Sequence, residues 1–290
     1  MESVAHIDDY EQFLCGTCGY VHFAHLSKEV DNTLYEADAD YNDDLVLAAD
    51  FADLLQWNHK QAVKYLKKKF PAGDASILDI GCFNGFFVRK LLNCGFAASG
   101  IDFNNKALDF GVSNYGLEGR ISNKTVQALL AEGLQFDVVT LFEVIEHLED
   151  FSSILSDARK LLKPDGLLIL STPNSDMCWR PDLDFPPHHL SRFTPKALAS
   201  GVERVGFSPM LSLEQTSTFD LLRNYAGTFF RHKDKKSMRG GEFKNKGLTI
   251  ILRKAANKTK GLGYILLCPL DMILHAIGVR YISQLIVARK

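Results

Sequence analysis

The chain has 290 residues, 46% of them apolar and 23% charged, with a formal net charge of −2. This composition excludes disordered, collagen-like and coiled-coil chains and leaves enough apolar material for a substantial core. A near-zero charge does not fit a polycationic nucleic-acid binder, and six cysteines spread over this length are not a disulfide framework. The opening residues, MESVAHIDDYEQF, carry neither the basic nor the apolar region of a signal peptide. A reduced, soluble, cytoplasmic protein is the expectation.

The charge is unevenly placed. Residues 1–60 carry 13 acidic and 2 basic side chains, whereas residues 223–260 carry 12 basic and 2 acidic ones. Either these are two solvated faces that compensate each other, or the basic stretch meets an anion: a phosphate-bearing small molecule, a lipid-linked intermediate or a membrane surface. No aromatic-interleaved motif accompanies the lysines, so nucleic acid is not an expected partner.

In chain order, an acidic leader with a Cys15-Gly-Thr-Cys18-Gly element comes first, followed by an amphipathic helix over 57–69 that Pro71-Ala-Gly-Asp ends. Strands and helices then alternate. Ser76–Ile80 reads as a buried strand, 85–94 as a helix, Ala97–Ile101 as a strand and Asn105–Ser113 as a helix. A weak strand near 121–126 and a clear one over Phe136–Phe142 follow. Asp150 is placed to cap a helix over 151–162, Lys163-Pro-Asp-Gly166 is a turn, and Leu167–Ser171 is a strand. Thr194-Pro195 opens a helix to about Val205, and Phe207–Leu213 and Gln284–Ala288 are the final strands. This succession predicts an open, mostly parallel sheet with helices on both faces. Residues 216–282 interrupt it with the basic stretch and an apolar run, Leu262–Val279, which contains Pro269, Asp271 and His275 and is a poor membrane span. That run is expected to form a helix on the core or over a substrate pocket, or one lying at a membrane interface. The chain thus divides into a leader or lid (1–56), a cofactor-binding domain (57–215), a helical insertion (216–282) and a closing strand (283–290).

The first strand runs into Leu78-Asp79-Ile80-Gly81-Cys82-Phe83-Asn84-Gly85, and a helix follows. Glycines at such a turn let backbone approach a ligand, and the helix N-terminus offers free N–H groups. Phe83 and Phe86 stand where a dinucleotide fingerprint needs glycine, and no Gly-Lys-Ser/Thr follows, so hydride transfer and a P-loop are both disfavoured. Asp102 ends the second strand about 20 residues past Gly81, the place of an acid that takes ribose hydroxyls. The ligand implied has a ribose but no pyrophosphate clamp.

LDIGCFNGFF, GIDF, FDVVTLFEVIEHLED and LLKPDGLLILSTPN, in that order, resemble the successive motifs of class I S-adenosylmethionine-dependent methyltransferases. The resemblance covers about Ile77–Phe207 and implies a Rossmann-like α/β fold, a doubly wound and mostly parallel seven-stranded sheet with an antiparallel last strand. It implies that Asp79, Gly81 and the loop of Cys82, Phe83 and Gly85 hold the methionine end of the cofactor. Asp102 would hold the ribose, Phe103 lie against the adenine, and Phe142 flank the methionine moiety. Lys60, on the helix before the first strand, either approaches the cofactor carboxylate or is an exposed helix lysine.

After the fourth strand comes Glu143-Val-Ile-Glu146-His147, and after the fifth Pro-Pro-His188-His189. Both lie at carboxyl ends of parallel strands, on the cofactor's rim. Glu143, Glu146, His147 and His189 (or His188) could hold a divalent metal that orients a diol and acidifies a hydroxyl. This pattern resembles Glu-x-x-Glu-His with a distant His in ubiquinone-type O-methyltransferases and small-RNA 2′-O-methyltransferases. Alternatively, His147 or His189, with Glu146 beside them, supplies a metal-free base, or these residues simply order the loop. Cys15 and Cys18 look like one knuckle of a zinc ribbon, an incomplete or vestigial one, because no second pair exists and only His22 or His25 are nearby additional ligands. Tyr35 and Tyr41 would cap the active site.

The reaction these features imply is methyl transfer from S-adenosylmethionine, to oxygen of a small molecule, glycan precursor or nucleotide sugar. A metal-assisted catechol or quinone-pathway O-methyltransferase, an aminosugar N-methyltransferase and a cofactor-binding module without catalysis are the other readings.

Overall fold

A computed structural model describes residues 1–26, 56–177, 180, 184–215, 218, 260–279 and 282–290. The lid tyrosines Tyr35 and Tyr41 and nearly all of the basic stretch lie outside the described residues.

Seven strands form the main sheet: β4 (Ser76–Ile80), β5 (Ala97–Ile101), β6 (Ile121–Ser122), β7 (Phe136–Phe142), β8 (Leu162–Pro173), β10 (Ser208–Glu214) and β11 (Ser283–Arg289). Their order is β10-β11-β8-β7-β4-β5-β6. β11 inserts antiparallel between β8 and β10, and the pairs formed by β4, β5, β6, β7 and β8 are parallel. The chain order therefore reverses beside β4, the switch point where such sheets leave a crevice at their carboxyl ends.

The helices are α1 (Trp57–Lys69), α2 (Phe86–Asn93), α3 (Asn105–Tyr115), α4 (Val126–Ala131), α5 (Phe151–Leu161), α6 (Pro195–Arg204) and α7 (Lys260–Ala276). Their starts follow from capping chemistry. Asp150 accepts from the amides of Ser152 and Ser153 at the head of α5, and the Thr194 hydroxyl accepts from Ala197 with Pro195 in the first turn of α6. Two apolar layers sandwich the sheet. One gathers Leu78, Val139, Leu155, Leu168, Leu198 and Val202, the other Ile77, Leu66, Phe87, Val138, Ile169 and Leu285. Alternation along β4 and β7 sends neighbouring side chains to opposite layers, as strands buried on both faces require.

Four expectations change. Residues 121–126 hold only a two-residue strand before α4, because Thr125 caps a helix by accepting from Ala128. The turn 163–166 falls within the span of β8: Phe136 pairs with Leu162 and Val138 with Leu167, so the four residues between bulge out of the ladder. Asp165 sits at φ +58° there. The leader is not simply an acidic lid. Its first residues form an antiparallel meander of β1 (Glu2–Ile7), β2 (Tyr10–Leu14) and β3 (Val21–His25), to which β9 (Ser191–Arg192) adds a fourth strand. Lastly, Cys15 and Cys18 form the β2–β3 turn, where the Thr194 hydroxyl donates to the Cys18 carbonyl at 2.7 Å and Lys196 donates to the Thr17 carbonyl at 2.8 Å. The knuckle thus clasps the start of α6. Among the described residues neither His22 nor His25 joins the two thiols in a group of three ligand atoms.

No helix among the described residues is long and apolar enough to cross a membrane.

Phe193 joins the meander to the main body. It is fully buried, with its ring 5.1 Å from Tyr20 and 5.0 Å from Phe151. Truncation by Phe193→Ala should cost about 3–5 kcal/mol of unfolding free energy, measured by urea denaturation. A change below about 1 kcal/mol would mean that the meander does not depend on this packing.

Candidate active site

The cofactor cradle is built at the carboxyl ends of β4 and β5. The amides of Gly81 and Cys82 both donate to the Ile101 carbonyl, at 2.9 and 3.1 Å, which ties the loop after β4 to β5. Gly81 has φ +77°, and a Cβ there would lie 2.5 Å from a methyl of Val144. Gly85 begins α2 in the left-handed conformation at φ +71°. Phe83 also has positive φ, at 49°, and its amide donates to Asp102 Oδ2 at 2.7 Å. The Asn104 amide donates to Asp102 Oδ1 at 2.9 Å. Both carboxylate oxygens are thus held by backbone amides, and each keeps acceptor capacity for a ribose hydroxyl. Burial nevertheless raises the Asp102 pKa. Phe103 follows with its side chain 58% exposed on the same rim.

Asp79 is buried at the tip of β4, and the Thr140 hydroxyl donates to it at 2.5 Å. Burial, helped by the charge of Asp102, pushes its pKa up to about 7. A ligand ammonium would favour the ionised form and pull that pKa back down.

Sequence reading missed three contributors to this cradle. Gly111 lies inside α3, where a Cβ would come 2.2 Å from the Asn84 carbonyl oxygen, so glycine lets α3 press on the loop. An isolated helical glycine is the available sequence signal, since it costs about 1 kcal/mol unless packing requires it. The other two are Asn58 and His59 on α1. Asn58 Nδ2 donates to the Ser171 hydroxyl at 2.8 Å and to Glu143 Oε1 at 3.3 Å. His59 stacks on Phe87 at 4.8 Å and meets Phe142 edge-on at 4.7 Å. Burial lowers the His59 pKa to about 4, and its Nδ1 is buried without a hydrogen-bond partner. Phe142 is therefore enclosed by His59 and Phe87 at the tip of β7. Lys60, one residue on, is exposed.

A second group of residues adjoins the cradle, since Val144, which abuts Gly81, belongs to the segment after β7. Glu143 leaves β7 at φ +55°, and its Oε1 accepts from Ser171 at 2.8 Å. Glu146, His147 and His189 come together with one ligand atom each, all within 4.8 Å of one another. Glu143 is not in that group. Glu146 is 1% exposed; no hydrogen bond of good geometry reaches its carboxylate oxygens, although the nearby Thr172 hydroxyl favours its charged form. Burial first, then the charge of Glu143, raises its pKa well above the usual carboxylate range.

The imidazoles are oriented from behind. His147 Nδ1 lies 2.7 Å from the His188 carbonyl oxygen, and His189 Nδ1 lies 2.8 Å from Asp184 Oδ1. Acceptors placed this way favour the Nδ1–H tautomer, in which Nε2 is the nitrogen that can ligate. Burial, followed by the neighbouring His189, lowers the His147 pKa to about 4. Asp184 is buried. Although burial opposes its charge, the hydrogen bond from His189 and the nearby Arg180 hold its pKa below the usual range.

Arg192 donates to the Asp184 carbonyl at 2.7 and 3.0 Å and lies between the rings of Phe23 and Phe185, 4.6 and 4.3 Å from their centroids. The meander braces the same segment: the Phe23 amide donates to the Leu190 carbonyl at 2.9 Å, and the Leu190 amide donates to the Glu146 carbonyl at 2.7 Å. The leader thus acts on the histidine segment from behind.

Residues 49–212 match a family described as a methyltransferase domain. The match covers more than half of the chain and contains both halves of the site. The chain belongs to that family, the class I S-adenosylmethionine-dependent methyltransferases. Among curated relatives it is 37% identical over 108 residues to a ubiquinone biosynthesis O-methyltransferase of Caulobacter vibrioides, covering 36% of this chain and 43% of that one. It is 32% identical over 163 residues to the protein of the same name from Cereibacter sphaeroides, covering 50% of this chain and 65% of that one. The chain therefore spans less than two thirds of the length of these relatives. Among solved structures, phosphoethanolamine N-methyltransferase 2 of Haemonchus contortus, in complex with S-adenosylmethionine, superposes with a TM-score of 0.57 at 14% identity, covering 96% of this chain and 70% of that one. At that identity the likeness concerns the fold.

For this methyltransferase-family chain, Asp102→Ala should weaken S-adenosylmethionine binding at least tenfold by calorimetry, because it removes the amide-braced carboxylate that the sequence motifs assign to the ribose. Wild-type affinity would refute the assignment. Binding should also tighten from about pH 6 to about pH 7.5 as the Asp79 carboxyl ionises opposite the methionine ammonium. Asp79→Asn should flatten that dependence.

Proposed function

We propose that this chain transfers the methyl group of S-adenosylmethionine to a hydroxyl of a small acceptor bearing adjacent oxygens, with a divalent cation held by Glu146, His147 and His189. The observation that carries this reading is the buried Glu146 carboxyl gathered with the His147 and His189 imidazoles, one ligand atom of each within 4.8 Å of the others. A buried carboxylate is costly unless something charged meets it. Two nitrogen donors and one oxygen donor, with Glu143 adjacent, suit a first-row divalent ion. The carboxylate and carbonyl behind the imidazoles are the partners that metal-ligating histidines ordinarily have. The O-methyltransferase names of the relatives support transfer to oxygen.

Methyl transfer is an in-line displacement. A carbon–oxygen bond forms, the carbon–sulfur bond breaks, sulfur keeps the electron pair, and the acceptor oxygen loses its proton. The residues of this chain align and enclose. Asp102 holds the ribose, the 81–85 loop and Asp79 hold the methionine end, and Phe142, set by His59 and Phe87, walls the site. Such positioning supplies much of the rate enhancement of a bimolecular transfer. The cation, when bound, would orient two acceptor oxygens and lower the pKa of the one that attacks. At a pKa of about 4, His147 is a poor lone base at neutral pH, so it serves better as a ligand.

A second reading rests on one specific contact. His189 with Asp184 behind it is also the pair that a metal-free general base would use. The expectation of a phosphate-bearing acceptor, such as a nucleotide sugar, rests on the basic stretch, nearly all of which is outside the described residues.

The test is the metal dependence of methyl transfer to a catechol. Chelation should abolish turnover and an added first-row divalent ion such as manganese or cobalt restore it, while S-adenosylmethionine affinity stays within about twofold. Glu146→Gln should raise the metal requirement at least tenfold. Full turnover in chelator, lost on His189→Gln, would replace the cation with the His189 base.

A further inference from the structure

Outside the site, the most unusual surface of the molecule is α7. Leu266, Leu270, Ile273 and Ile277 fall at i, i+4, i+7 and i+11 along this helix and its end, a single stripe, and Met272 is exposed on a neighbouring face. These five side chains are between 40% and 70% exposed. Soluble proteins seldom leave so contiguous an apolar patch uncovered without an interaction that uses it.

The polar groups of the helix sharpen the inference. The one acidic residue between 260 and 279, Asp271, is turned inward and buried, where it accepts the Thr218 amide at 2.5 Å. The exposed stripe therefore carries no negative charge. The chain leading into it, residues 223–260, holds 12 basic and 2 acidic side chains. Apolar side chains on one face and cations close in sequence are the two terms that bind a helix to an anionic bilayer surface. Geometry excludes crossing: 17 residues at ~1.5 Å each reach ~25 Å, short of a ~30 Å hydrocarbon core.

We infer that α7 is an interfacial helix that docks this chain on an anionic phospholipid surface, with Leu266, Leu270, Ile273 and Ile277 in the headgroup–acyl boundary. The inference stands apart from the choice of methyl acceptor, since it uses no residue of the site.

The experiment is sedimentation of the full chain with phosphatidylcholine vesicles, with and without phosphatidylglycerol, at low and high salt. Binding is expected only to the phosphatidylglycerol vesicles and should weaken with salt. Ile273→Glu and Leu270→Glu should each reduce the partition coefficient about tenfold or more, with melting temperature and S-adenosylmethionine affinity unchanged. Absence of binding to either vesicle would overturn the inference. So would equal binding to both, or a concentration-dependent dimer dissolved by Ile273→Glu without vesicle binding, which would give the stripe to a second copy. Vesicle binding by a chain that methylates no catechol would sink the acceptor proposal and leave this one standing.

Discussion

The register of β4 against β7 is the constraint from which the site follows. Asp79 pairs with Thr140 across these parallel strands, and the Thr140 hydroxyl holds the buried carboxyl. Because both strands end at the same rim, the loop after β4 and the segment after β7 must leave side by side. Gly81 records how closely they pass, since any larger residue would strike Val144. A shift of one residue in this pairing would turn Asp79 and its neighbours to opposite faces of the sheet. The cofactor cradle and the Glu146–His147–His189 group are two consequences of one strand alignment.

The electrostatics of the two halves differ in kind. In the cradle, Asp102 is braced by two backbone amides and Asp79 by one hydroxyl, so their charge is partly compensated before any ligand arrives. At the second group, burial outweighs the help that Glu146 receives from Thr172, and His147 is held neutral by burial. The residues beside that group are closely paired: Asp184 with His189, Arg180 and Arg192, and Arg192 with the rings of Phe23 and Phe185. Side chains held by such pairs are what a preorganised ligand site requires.

The amino-terminal meander contributes to that support. It adds β3 to β9 and places the Phe23 ring over Arg192. The Cys15–Cys18 turn clasps α6, which follows the histidine segment directly. A lowered Cys15 pKa of about 7, caused by the amides of Cys18 and Thr17 and the Cys18 thiol, belongs to this turn geometry.

The sequence by itself determined the alternation of strands and helices, the helix caps at Asp150 and Thr194, and the glycine turn with its two acids at Asp79 and Asp102. These features are local: period, capping and positive φ are properties of a few adjacent residues. It also marked Glu146, His147 and His189 as candidates, because strand ends on one rim are predictable from a parallel sheet. Only the tertiary structure decided which of them meet. It joined Glu146 to His147 and His189, set Glu143 against Ser171 and Asn58, and chose His189 over His188 by giving it Asp184. It also revealed His59, Asn58 and Gly111, whose roles depend on helices that cross the cradle from elsewhere in the chain, and it turned an acidic leader into a sheet. Pairings between residues as distant as Val21 and Arg192 leave no periodic trace, because the energy that selects them comes from packing and desolvation, which exist only once the chain has closed on itself.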